Sequence, residues 1–79
     1  MTGEKVGRDI YEASDRKILS RRQLEILSLI AKGVPSKQIA DKLNISIYTV
    51  NRHRQDILAS LKVANTAAAV EIALRMNLI

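Results

Sequence analysis

Asn51, Arg52 and Gln55 stand within five consecutive residues. Their side chains have the donor and acceptor geometry that matches adenine and guanine edges in the major groove of duplex DNA. Placed on a helix at about 100° per residue, Val50, Arg54, Ile57 and Leu61 fall within roughly 40° of one another and make an inward seam. The stem of Arg54 can snorkel from the edge of that seam. The opposite side carries Tyr48, Asn51, Arg52, Gln55, Ala59 and Lys62. An ordinary surface helix places charge pairs at i, i+4 and some Glu on its outer side; here Asn, Arg and Gln occupy the middle of it. Other chemistry is poorly supplied. With no cysteine, disulfides, thiolate metal sites and a Cys nucleophile are all absent. His53 with Asp56 one turn away is the only acid–base arrangement, a spacing that chance puts on many helices, so neither an enzyme nor a cofactor or metal site is expected. His53 itself falls about 60° from Val50 on the inner side, where a packing or hydrogen-bonding role is the expectation.

Charge supports a polyanionic partner. The 79 residues hold 13 Lys and Arg against 8 Asp and Glu, for a net charge of +5. Residues 1–20 are neutral, with four charges of each sign. Residues 21–79 carry nine cations (Arg21, Arg22, Lys32, Lys37, Lys42, Arg52, Arg54, Lys62 and Arg75) against Glu25, Asp41, Asp56 and Glu71. A compact basic segment behind a neutral leader suggests nucleic acid, although a basic surface that serves only solubility has the same composition. Tyr11 and Tyr48 are the only aromatic residues, too few for the stacking platforms that hold single strands and RNA loops. Duplex DNA needs no such platform.

These side chains must be positioned by a small fold. A chain of this size buries only about 60–65% of its unfolded surface, which excludes a barrel or a doubly wound sheet. Hydrophobic content of 47% with 27% charged residues is that of a globular domain. No apolar run is long enough to cross a bilayer, and Thr2, Gly3, Glu4 and Lys5 do not begin a secretory signal; a reducing, cytoplasmic setting is expected. Residues 1–18 read as a linker or flexible leader, as a tether to an upstream sensor would look, and residues 19–79 as one all-α domain.

Four helices are predicted in that domain. Ser20 and Gln23 form a capping box flanked by Leu19 and Leu24 as a hydrophobic staple, and Lys32-Gly33 supplies the stop, for a helix of about 21–32. Pro35 restarts the chain into a helix at 36–43 with Ile39, Ala40 and Leu43 on its apolar side. Asn44 tolerates the left-handed conformation, and Ser46 caps a third helix of about 47–61, with Ile45 stapled to Val50. Asn65 caps a fourth, about 66–76, whose Ala69, Val70, Ala73 and Leu74 make an apolar stripe. The second and third helices are joined only by Asn44-Ile45-Ser46, the link expected of a helix-turn-helix. Ala40, Asn44 and Val50 supply its small, αL-tolerant and β-branched positions in order, although any helical hairpin would need some of this.

The run Leu19-Ser20-Arg21-Arg22-Gln23, then Gly33, Lys37-Gln38-Ile39-Ala40, Leu43, Ile45-Ser46, Thr49-Val50, His53 and Leu61-Lys62-Val63 resembles the LuxR-type (GerE-like) DNA-binding domain of bacterial transcription regulators. The resemblance covers residues 19–79. It implies a four-helix helix-turn-helix domain whose third helix enters the major groove and whose fourth serves dimer formation, through Ala69, Val70, Ala73 and Leu74. Departures from the family pattern are Gln23 and Gln38 in place of Glu, Pro35 in place of a capping Ser, a neutral Asn51, and Ser60 and Thr66 where basic residues are common. They bear on the operator sequence and phosphate affinity more than on the fold.

The resemblance and the helical wheel together assign Asn51, Arg52 and Gln55 to base edges, and Lys37, Ser46, Tyr48, Thr49, Arg54 and Lys62 to phosphates. Bland roles stand beside these: Ser46 as a cap, Tyr48 as a surface ring, Arg54 at the core rim. The implied partners are double-stranded DNA, a second copy bound with half-sites about one helical turn apart, and RNA polymerase, but no membrane. The isolated domain is expected to be monomeric, because the fourth helix offers too little area to hold a dimer alone. Two rival readings are a sigma-factor region-4-like module, which normally ends soon after its recognition helix, and a protein-interaction module that does not bind DNA.

Overall fold

The computed structural model describes residues 18–79; all but the last residue of the expected leader lies outside them. Four helices follow one another: α1 Arg21–Ala31, α2 Ser36–Leu43, α3 Ile47–Leu61 and α4 Thr66–Arg75. Among the described residues there is no strand, and the expected all-α helix-turn-helix architecture is the one found.

Local chemistry sets the starts. The Ser20 Oγ accepts from the Gln23 amide at 3.1 Å while the Gln23 Oε1 accepts from the Ser20 amide at 2.8 Å, the reciprocal capping box. Leu19, one residue earlier, is buried and Leu24 packs against the core, as a staple requires. Ser46 accepts from the Thr49 amide at 3.0 Å and Asn65 from the Ala68 amide at 2.9 Å. Pro35 precedes α2 and provides no side-chain cap, as its replacement of a serine predicts.

The stops share one device. At each C-terminus a residue with positive φ turns the chain, and the amide after it reaches back to a carbonyl five residues earlier. These bonds are Val34 to Leu29 at 3.1 Å, Ile45 to Ala40 at 3.0 Å, Val63 to Leu58 at 3.1 Å and Leu78 to Ala73 at 2.8 Å. The turning residues are Gly33, Asn44, Lys62 and Asn77. This is the Schellman arrangement, closed each time by an apolar residue that folds onto the helix it ends.

α3 is the hub, packing on α2, α1 and α4, while α1 also touches α2 and α4. Its Val50, Ile57 and Leu61 meet Leu19, Ile26 and Leu27 from the α1 region, Ile39 and Ala40 from α2, and Ala69 and Ala73 from α4 in one core. No polar or charged residue is buried there among the described residues. Ala40 lies where α2 meets α3, and its small side chain permits the close crossing.

Candidate nucleic-acid interface

The inner side of α3 is committed to the core, so its outer side is what remains to act. Val50 and Ile57 are completely or almost completely buried. Tyr48, Asn51, Arg52, Gln55, Ala59 and Lys62 are all exposed, and Tyr48 keeps 71% of its surface accessible. The polar stripe read from the helical wheel is therefore an open, convex ridge. Arg52 and Asp56 are one turn apart, yet no ion pair joins them; among the described residues the ion pairs are Arg22–Glu25 and Arg75–Glu71.

The corner that presents this ridge is built by the αL residue. Asn44 adopts φ 58°, ψ 45°, which brings the Ile45 amide onto the Ala40 carbonyl and turns the chain into the Ser46 cap within three residues. The Ser46 and Thr49 hydroxyls lie 3.0 Å apart. If Ser46 donates in that contact, the proton of Thr49 is left to turn outward. Lys37 is exposed in the first turn of α2, next to amides that no side chain caps. Helix N-termini with unsatisfied amides favour anions.

Arg54 and Lys62 occupy positions unlike those their composition suggests. Arg54 is partly buried, and its two terminal nitrogens donate at 3.0 Å each to the Ser36 and Thr66 hydroxyls. Its guanidinium is thus already engaged within the protomer, which places it at the core rim. Lys62 is not the last helical residue of the outer stripe but the left-handed residue after it, at φ 58°. Its side chain remains exposed.

The expected dimerisation stripe requires correction. Ala69 and Ala73 are buried in the protomer's own core, because the small face of α4 is the one that packs onto α1 and α3. Neither presents surface outside the protomer. Val70 is half-buried, while Leu74 and, beyond it, Met76 are 55% and 44% exposed; these supply the apolar surface that α4 leaves outside.

His53 lies half-buried, and its Nδ1 is enclosed with no hydrogen-bond partner among the described residues. No hydrogen bond from its Nδ1 therefore supports the second of the two roles expected for it. No set of three His, Cys, Asp or Glu side chains comes together among the described residues as a metal ion would need. A concavity of about 410 Å³ between α1 and α2, lined by Glu25, Ser28, Leu29, Lys32, Lys42 and Leu43, shares no residue with the α3 ridge. No single described helix is long and apolar enough to cross a membrane.

Sequence reasoning missed the roles of Ser36 and Thr66. Each is the first residue of its helix, and nothing local marks a hydroxyl as the acceptor of an arginine 18 or 12 residues away.

Residues 17–73 match the family described as bacterial regulatory proteins, luxR family. The oxygen regulatory protein NreC of Staphylococcus carnosus is 43% identical over 74 residues, which cover 92% of this chain and 34% of that protein. NreC of Staphylococcus epidermidis is 48% identical over 72 residues, covering 90% of this chain and 33% of the relative. In Staphylococcus aureus the identity is 48% over 63 residues, or 80% of this chain and 29% of the relative. The chain spans about a third of the length of the curated relatives it matches.

Proposed function

The chain belongs to the luxR family of bacterial regulatory proteins, and we propose that residues 19–79 are the DNA-binding output domain of a transcription regulator, with α3 lying in the major groove. The observation that carries this reading is the exposed ridge of α3, where Asn51, Arg52 and Gln55 project into solvent with no ion pair to any described residue. Asn and Gln can pair in bidentate fashion with adenine, and Arg with guanine. Lys37, Ser46, Tyr48, Thr49 and Lys62 surround the ridge and contact the phosphates. These contacts fix the register and carry no sequence information of their own. The lone pair of turns in α2 and the uncapped amides at its start cross the DNA backbone beside α3, as the first helix of a helix-turn-helix does.

A second copy joins on DNA through Leu74 and Met76, the exposed apolar surface at the end of α4, and the half-buried Val70 beside them. So small a patch supports dimers only once DNA brings two copies together. The whole regulator carries further sequence, as its relatives do, and works in the cytoplasm beside the chromosome, where RNA polymerase is its other partner. Catalysis has no place in this function.

The test is the affinity for random duplex DNA against salt. Each phosphate neutralised by a Lys or Arg makes the slope of log K on log[salt] more negative by about 0.9, so the two cations of this set, Lys37 and Lys62, predict a slope of roughly −2, and the neutral hydroxyls of Ser46, Tyr48 and Thr49 add nothing to it. A flat response would remove DNA binding and leave the interaction-module reading.

A further inference from the structure

Arg54 springs from the middle of α3, on the edge of the buried seam. Its stem passes along a crevice lined by Leu27, Ile30, Ile57, Leu58 and Ala69 that has no room for a water molecule. At the end of that stem the two terminal nitrogens diverge. One donates to Ser36 in the first turn of α2 and the other to Thr66 in the first turn of α4, each at 3.0 Å. α2 and α4 have no extensive packing with each other. A planar guanidinium holds its donors in a rigid fork, so two acceptors on different helices determine both the distance and the orientation of those helices about α3. A single hydrogen bond would leave a rotation free.

We propose that Arg54 is a positioning residue that clamps α2 and α4 onto α3 and thereby sets the angle at which the outer ridge of α3 is presented. The clamp exists in the protomer whatever that ridge binds; its consequence for recognition rests on the function proposed above. Both acceptors are neutral hydroxyls, and no carboxylate pairs with Arg54 among the described residues. A phosphate could therefore compete for the guanidinium, and the experiment separates the two roles.

The full chain is compared with its Arg54→Met, Thr66→Val, Thr66→Ser and Arg54→Met/Thr66→Val forms. Urea unfolding gives a first readout that does not involve DNA. The clamp predicts that the doubly substituted chain is destabilised less than the product of the two single effects on the unfolding constant, by about three- to tenfold, as coupled neighbours are. Thr66→Ser, which keeps the hydroxyl, should unfold like the unaltered chain. Strictly multiplicative effects would overturn the proposal.

The second readout is affinity for a duplex selected from a randomised library by the unaltered chain, measured across salt where every variant is folded. Arg54→Met and Thr66→Val should each weaken that duplex by about tenfold, approaching the affinity for random duplex, with an unchanged salt slope. A slope shallower by about 0.9 in Arg54→Met alone would show that Arg54 contacts a phosphate and overturn the positioning role. Should the unaltered chain bind no duplex at all, the proposed function fails, and the unfolding cycle alone decides the clamp.

Discussion

The outer faces of α1 and α4 handle charge in one way and the outer face of α3 in another. On α1 Arg22 reaches Glu25 at 3.3 Å, and on α4 Arg75 reaches Glu71 at 2.9 Å. Such local pairs are the ordinary dress of a solvated helix and contribute little stability. On α3, Arg52 has Asp56 at pairing distance in sequence and makes no pair with it. Asn51 and Gln55 likewise have no side-chain hydrogen bond among the described residues. The first two faces each hold an arginine paired within its own helix, whereas the third carries Asn51, Arg52 and Gln55 with no such pair among the described residues. A face that gives its own fold nothing is the one to which an external partner is assigned.

The contrast is sharpest across α3 itself. Ile57, buried on the inner side, should lose about 3 kcal/mol on replacement by Ala, the transfer and cavity terms of a large core aliphatic together. Asn51→Ala on the outer side should stay within about 0.5 kcal/mol in the same urea titration. Comparable losses at both positions would mean that the ridge is packed and the contrast false. At the corner, Ala40→Leu should cost about 2 kcal/mol by overpacking the α2–α3 crossing. A chain unaffected by that change would show that the crossing is looser than the geometry requires.

Binding should invert this order. Arg52→Ala is expected to leave stability within about 0.5 kcal/mol while costing about 1–3 kcal/mol on a selected duplex and altering base preference at one position. Lys37→Ala should weaken all sequences alike and make the salt slope shallower by about one contact. If the two variants behaved identically, the division between base and phosphate readers would be wrong. The smallest effect concerns the end of α3: Lys62→Gly should raise stability by about 0.5–1 kcal/mol, since glycine adopts φ 58° without the steric penalty a lysine bears.

What was legible in the sequence was local. The Ser20–Gln23 box, the Asn44 turn and the Ser46 and Asn65 caps each act within three or four residues, so residue type and spacing suffice to place the helices. The outer ridge of α3 was legible for the same reason, because one helix's periodicity separates it from the seam. Partnerships across helices were not. A wheel shows Arg54 at the rim without showing that Ser36 and Thr66 come to meet it. It groups Ala69 and Ala73 with Val70 and Leu74 as one apolar stripe without showing which part faces inward. Lys62 carried no sign of its left-handed backbone in its own chemistry. The usable signal was its neighbour, since Val63 repeats the apolar residue that Val34 and Ile45 place after Gly33 and Asn44.

The most direct measurement is amide chemical-shift mapping of the chain during titration with a duplex oligonucleotide. Shifts should concentrate at residues 46–55 and at the start of α2, with the exposed end of α4 silent until two copies share one duplex. Shifts confined to α4 or to the concavity between α1 and α2, with residues 48–55 unmoved, would contradict the assignment of α3 to DNA.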